Sequence, residues 1–148
     1  MTDHDSLVGR ARQAALNSYS PYSGFRVGAA LVTGDGSVFC GANVENAAYP
    51  VSNCAEATAV NTAAAAGARR IRTVAVACVD ADSIANAYPC GRCRQVMNEF
   101  GVETVLVATG DGPYRVHGLS ELLPYGFSGE FLRGEGEPPA GVDKTAGE

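Results

Sequence analysis

The spacing of apolar residues changes several times along this chain, and each change predicts a different element. Leu7, Ala11, Ala14 and Ala15 recur at helical spacing within residues 5–18. The cluster Ser20-Pro21-Tyr22-Ser23-Gly24 then breaks the pattern. Residues 26–33 are small and β-branched, Gly34-Asp35-Gly36 reads as a turn, and 37–43 supplies a second strand, so the two form a hairpin. A loop over 46–53 leads into strong helix formers at 54–66, with Gly67 placed to cap them. Residues 71–79 are almost continuously apolar, as a central strand covered on both faces requires. After a loop over 80–89, a second such helix spans 90–100 and ends at Gly101. Strands at 103–109 and 114–117 and a helical turn at 119–123 complete the pattern. This order predicts an α/β domain: one mixed five-stranded sheet with helices on its faces. The domain is read as residues 1–131, and the Gly-, Glu- and Pro-rich stretch 132–148 as a disordered tail.

Composition narrows the possible partners. The chain has 148 residues, 46% of them apolar, with a formal net charge of -5. That balance argues against binding nucleic acid, which needs clustered Lys and Arg. No apolar run is long enough to cross a bilayer, so no membrane role is expected. The acidic start, Met1-Thr2-Asp3-His4-Asp5, has no export signal, and a reducing cytoplasmic compartment follows. Five cysteines, an odd number, then point away from a disulfide framework and toward metal or redox chemistry. Cys40 and Cys78 lie in apolar strands and read as buried small hydrophobes. His4 and His117 read as surface residues, neither assigned to a metal.

Two separated segments carry the chemistry. Pro89-Cys90-Gly91-Arg92-Cys93 opens a helix and puts two thiols on one face. The helix dipole favours thiolates there, and two of them can clamp one ion. Alone, the pair fits a redox dithiol or half of a structural zinc site equally well. Cys54-Ala55-Glu56 opens another helix and adds a third thiol with an acid. Three protein ligands with one position left for water describe a catalytic zinc, whereas structural zinc usually takes four. Glu56 is only two residues from Cys54, which in a regular helix places it on another face. It reaches the metal site only if Cys54 is a cap whose backbone is not yet helical.

These segments match the pattern of zinc nucleobase deaminases: His or Cys, any residue, Glu, then Pro-Cys-x-x-Cys. The chain resembles the cytidine deaminase family, of the small three-cysteine kind. The likeness extends over residues 18–131 through four further segments: residues 19–30, Asn43-Val44-Glu45-Asn46-Ala47-Ala48-Tyr49-Pro50, residues 90–96, and Leu122-Leu123-Pro124-Tyr125-Gly126-Phe127. The resemblance implies a single three-layer α/β/α domain and a homotetramer in the cytoplasm. It implies Zn2+ held by Cys54, Cys90 and Cys93, with Glu56 moving protons during hydrolytic deamination of cytidine or deoxycytidine in pyrimidine salvage. Phe25 would stack on the pyrimidine, Asn43 and Glu45 would hold ribose hydroxyls, and Ala55 would line the substrate site. Tyr49 and Phe127 would reach into a neighbouring subunit's site. One position departs from the family, which commonly has Arg directly after the Glu; here it is Ala57. Arg94, and secondarily Arg92, are the cations available to offset three thiolates. Three rivals remain at this point: a deaminase of a modified cytosine nucleoside such as blasticidin S, a non-catalytic structural zinc domain, and a Cys-x-x-Cys redox protein with a dithiol at Cys90 and Cys93.

Overall fold

The computed structural model describes residues 2–133. Helix α1, His4–Ala15, is capped by Asp3, whose carboxylate accepts the Ser6 N–H at 2.7 Å. Strands β1, Val27–Thr33, and β2, Val38–Ala42, form the expected hairpin around Gly36, which sits at φ 89°. Then come α2, Ala55–Ala65, β3, Ile71–Cys78, and α3, Gly91–Glu99. Strands β4, Thr104–Thr109, and β5, Arg115–Gly118, are followed by the short helices α4, Leu119–Leu122, and α5, Glu130–Arg133.

The five strands make one sheet in the order β2-β1-β3-β4-β5. Only β3 and β4 run parallel, and the connection between them carries α3; the other neighbours are antiparallel. The sheet is therefore mixed, as its alternation of helices and strands predicts. Its pleat divides the core into two clusters. Leu7, Val8 and Ala11 of α1 meet Ala30, Ala75, Ala77 and Leu106 on one face. Ala59, Val60 and Ala63 of α2 and Cys93 and Met97 of α3 meet Ala29, Leu31, Val74, Val76 and Val107 on the other. This is the three-layer α/β/α arrangement. Because β3 is covered on both faces, its apolar run shows no alternation.

Glycines let the layers approach. A Cβ on Gly28 would lie 2.0 Å from the Ala11 carbonyl oxygen of α1, and one on Gly41 would lie 2.4 Å from the Ala59 nitrogen of α2.

Two expectations need adjustment. Both long helices after the hairpin start one residue late, because Cys54 and Cys90 are their caps. Cys40 is exposed, since β2 is an edge strand that the helices only partly cover, whereas Cys78 is buried as expected. The domain end expected at 131 falls inside α5, and the tail beyond 133 lies outside the described residues. Among the described residues, no helix is long and apolar enough to cross a membrane.

Candidate active site

The N-termini of α2 and α3 bring three thiols together. Cys54 caps α2 with φ -71° and ψ 156°, and Cys90 caps α3 with φ -67° and ψ 168°. Both are extended, as the reach of Glu56 requires. Cys93 lies in the first turn of α3, buried beneath them. All three sulfurs fall within 4.8 Å of one another. Tetrahedral zinc with bonds of roughly 2.3 Å separates its ligand sulfurs by about 3.8 Å. The Cys54 and Cys90 sulfurs are 3.8 Å apart, so the pair already has that spacing.

Electrostatics favour a cation among them. Hydrogen bonding from Cys93 is the main cause that brings the Cys54 thiol down to about 6, with Cys90 and Arg92 adding to it. Cys93 is pushed well up by the hydrogen bond it gives Cys54, by burial, and by the negative charges of Glu56 and its sulfur neighbours. The first thiolate thus forms readily and opposes the next, which a bound cation would reverse. No fourth Cys, His, Asp or Glu joins this group among the described residues, so it does not have the four-ligand set of a structural zinc site.

Glu56, the second residue of α2, is 4% exposed. Its Oε2 lies 3.6 Å from Cys93 Sγ. Burial, helped by negative charge on Cys54, raises this carboxyl to about 7. A group poised there both takes and gives protons at neutral pH.

A cleft of about 270 Å³ opens over these groups, small but of the order of a small-molecule site. Phe25, Asn43, Glu45, Ala55, Glu56, Cys54 and Cys90 all line it. Asn43 and Glu45 share this side of an extended segment, as residues two apart should. Asn43 also holds the cleft's edge: its Oδ1 accepts Val27 N–H at 2.9 Å, and its Nδ2 donates to Phe25 O at 2.8 Å. Glu45 Oε1 accepts the N–H groups of Tyr22 and Ser23 at 3.0 and 3.1 Å. Hydrogen bonds from Ser23 first, and from Tyr22, hold its carboxyl below the ordinary value.

Tyr49 and Phe127 do not line this cleft. Tyr49 is 68% exposed and meets Tyr22 edge-on, with ring centroids 5.8 Å apart. Phe127 is 56% exposed, and its carbonyl accepts the side-chain amides of Gln95 and Asn98. Sequence reasoning missed Asn86, Tyr88 and Cys78 as lining residues. Only Tyr88 left a signal, an aromatic directly before Pro89-Cys90. His117, expected at the surface, is partly buried and joins Tyr88.

The charge question at Ala57 resolves differently from expectation. Ala57 is buried and brings no charge. Arg94 is not the compensating cation: its Nε donates to Pro89 O at 2.8 Å and its Nη1 to Leu122 O at 2.7 Å. Those bonds brace the loop before Cys90. Arg92, between the two cysteines of α3, instead acts on the Cys54 thiol by charge and hydrogen bonding.

Comparison with known proteins follows the same lines. The family model described as the cytidine and deoxycytidylate deaminase zinc-binding region matches residues 1–109. A cytidine deaminase of Halalkalibacterium halodurans is 45% identical over 132 residues, covering 88% of this chain and 98% of that protein. The crystal structure of cytidine deaminase from Burkholderia pseudomallei superposes with a TM-score of 0.78 at 45% identity, over 85% of this chain and all of that one. The Mycobacterium tuberculosis enzyme gives 0.71 at 41% identity, over 86% of this chain and 98% of that one.

Proposed function

The chain belongs to the cytidine deaminase family, and from that premise we propose how its residues divide the work of converting cytidine and water to uridine and ammonia. The activity is zinc-dependent hydrolytic deamination; the modified-nucleoside and structural-zinc alternatives are not favoured. One observation carries the assignment of roles: a buried acid beside three converging thiols at the floor of a cleft. Cys54, Cys90 and Cys93 would hold the zinc. When bound, zinc supplies Lewis acidity that draws the pKa of a coordinated water from 15.7 toward about 7.

Glu56 accepts the proton of the attacking water and delivers it to N3 of the pyrimidine as C4 is attacked. It then takes the remaining proton of that water, now the hydroxyl on C4, and passes it to the departing amino group as the C4 carbonyl forms and ammonia leaves. Phe25 stacks on the base, a contact worth about 1–3 kcal/mol. Glu45, kept ionised by the Tyr22 and Ser23 amides, accepts from ribose hydroxyls. Asn43 reaches the sugar with the amide hydrogen that is not donated to Phe25 O. Ala55 forms the wall beside Glu56.

The oligomer and setting belong to the same reading. Tyr19, Tyr22, Val44, Tyr49, Val51 and Phe127 are among the large side chains left exposed, with Tyr22 and Tyr49 in contact, and burial against further copies of the chain would cover such groups. In a homotetramer, Tyr49 and Phe127 would close a neighbour's cleft. Five free thiols suit a reducing cytoplasm, and a nucleoside substrate suits pyrimidine salvage. The test pairs elemental analysis with an absorbance assay of cytidine and deoxycytidine, ammonia release, and mass in solution. One zinc per chain, stoichiometric ammonia and a fourfold mass are expected. A zinc-loaded protein inert toward both nucleosides would refute the reading.

A further inference from the structure

Tyr88 is held in a way that filling space does not require. Its ring lines the cleft beside Cys90 and Asn86, and it packs partly against the core under α2 and α3. Its hydroxyl is engaged by a second element, 2.9 Å from Nε2 of His117 on β5. The two rings lie 5.3 Å apart at 59°. On its other side, His117 Nδ1 is 3.1 Å from Glu121 Oε1 on α4. Arg115 Nη1 adds a donor 3.5 Å from the same tyrosine oxygen.

The chain of contacts runs from solvent to cleft. Glu121 is 64% exposed and His117 is 15% exposed. Burial of the imidazole favours one fixed ring orientation, and Glu121 sets which nitrogen faces the tyrosine. Pro89 limits the backbone of Tyr88, so the freedom left to the ring lies in its side-chain torsions, which the hydroxyl contact restrains. Arg94 meanwhile links Pro89 O to Leu122 O, so the same short helix α4 supports both the ring and the loop that leads to Cys90.

We propose that Tyr88 is a wall of the nucleoside-binding cleft and that His117 and Glu121 are positioning residues that fix its ring before substrate arrives. The inference rests on the deaminase reading of this cleft. A ring fixed in advance spares the nucleoside the entropy of ordering it, so the effect falls on binding rather than on the chemical step.

The experiment measures KM, kcat and zinc content for Tyr88→Phe, His117→Ala and the double variant, with cytidine as substrate. Each single variant should raise KM about threefold to tenfold, the range for one neutral hydrogen bond, with kcat and zinc little changed. The double variant should be no worse than the singles, because both cut one tether. His117→Gln, whose amide can still meet the tyrosine hydroxyl, should recover most of the loss. Additive effects, an unchanged KM, or a loss confined to kcat with loss of zinc would overturn the tether. If the wild-type enzyme releases no ammonia from cytidine, the deaminase reading has failed; if it is active and the variants share its KM, only the tether has failed.

Discussion

Replacing Glu56 with Gln isolates proton transfer from everything else the side chain does. The two side chains have nearly the same volume, so the pocket under α2 gains no cavity, and the melting midpoint should move by no more than about 4 °C. The carboxyl is 4% exposed and raised to about 7, chiefly by burial, which is the range where transfer in both directions is efficient at neutral pH. An amide in its place cannot carry the proton. Losing a positioned acid/base costs about 10²–10⁴ in rate, or about 3–5 kcal/mol of transition-state stabilisation. Because the proton moves only during reaction, kcat and kcat/KM should fall together. The assay follows conversion of cytidine to uridine by absorbance, with zinc measured on the same sample. The variant should retain one zinc per chain. A kcat within tenfold of wild type, or a loss carried entirely by KM, would refute the assignment.

Other expectations follow from neighbouring contacts. Arg92→Ala should weaken zinc binding about tenfold to a hundredfold in a chelator competition, because that guanidinium acts on Cys54. Arg94→Ala should instead lower stability, by about 1.5–3 kcal/mol in urea, through lost bonds to Pro89 O and Leu122 O. Gly28→Ala should cost about 1–3 kcal/mol or more in the same assay, because its Cβ would meet α1 backbone atoms. Asp80, hydrogen-bonded and paired to Arg26, is lowered from 3.8 to about 2. A lowered acid stabilises the fold above its unfolded value and loses that effect as pH falls through its folded value. Asp80→Asn should therefore melt slightly earlier than wild type above pH 4, and the gap should narrow as pH falls toward 2 and close below it.

Much of this was legible because local physics and tertiary context agree. The unbroken apolar run of β3 signals a strand covered on both faces, and it is covered by α1 on one side and α2 and α3 on the other. The requirement that Cys54 be a cap comes from helix geometry alone, and its extended backbone meets it. What was not legible depends on where long or edge residues end up. Cys40 is apolar by pattern, yet an edge strand leaves it uncovered. Arg92 and Arg94 are both two or fewer residues from a ligand, and spacing does not say that Arg94 turns back to Pro89. Tyr88 and His117 are 29 residues apart and meet only through the pairing that places β5 beside β4.

The position of the cleft follows from the directions in which the strands run. β1 and β3 are antiparallel while β3 and β4 are parallel, so the strand direction changes between β1 and β3. Clefts in open α/β sheets form at the carboxyl ends of strands, where the connections diverge. Cys78, the last residue of β3, pairs with Val27, the first of β1, and both line this cleft. The chain returns to the same end twice more to begin α2 and α3. Two helix N-termini thus face one point and stabilise negative charge there, which offsets part of the repulsion among three thiolates. With Ala57 uncharged, the Arg92 guanidinium adds to Cys93 and Cys90 in favouring the Cys54 thiolate. The strand ends that precede α2 and α3 set where the sulfurs converge, and the helix ends supply part of the field that lets them hold a cation.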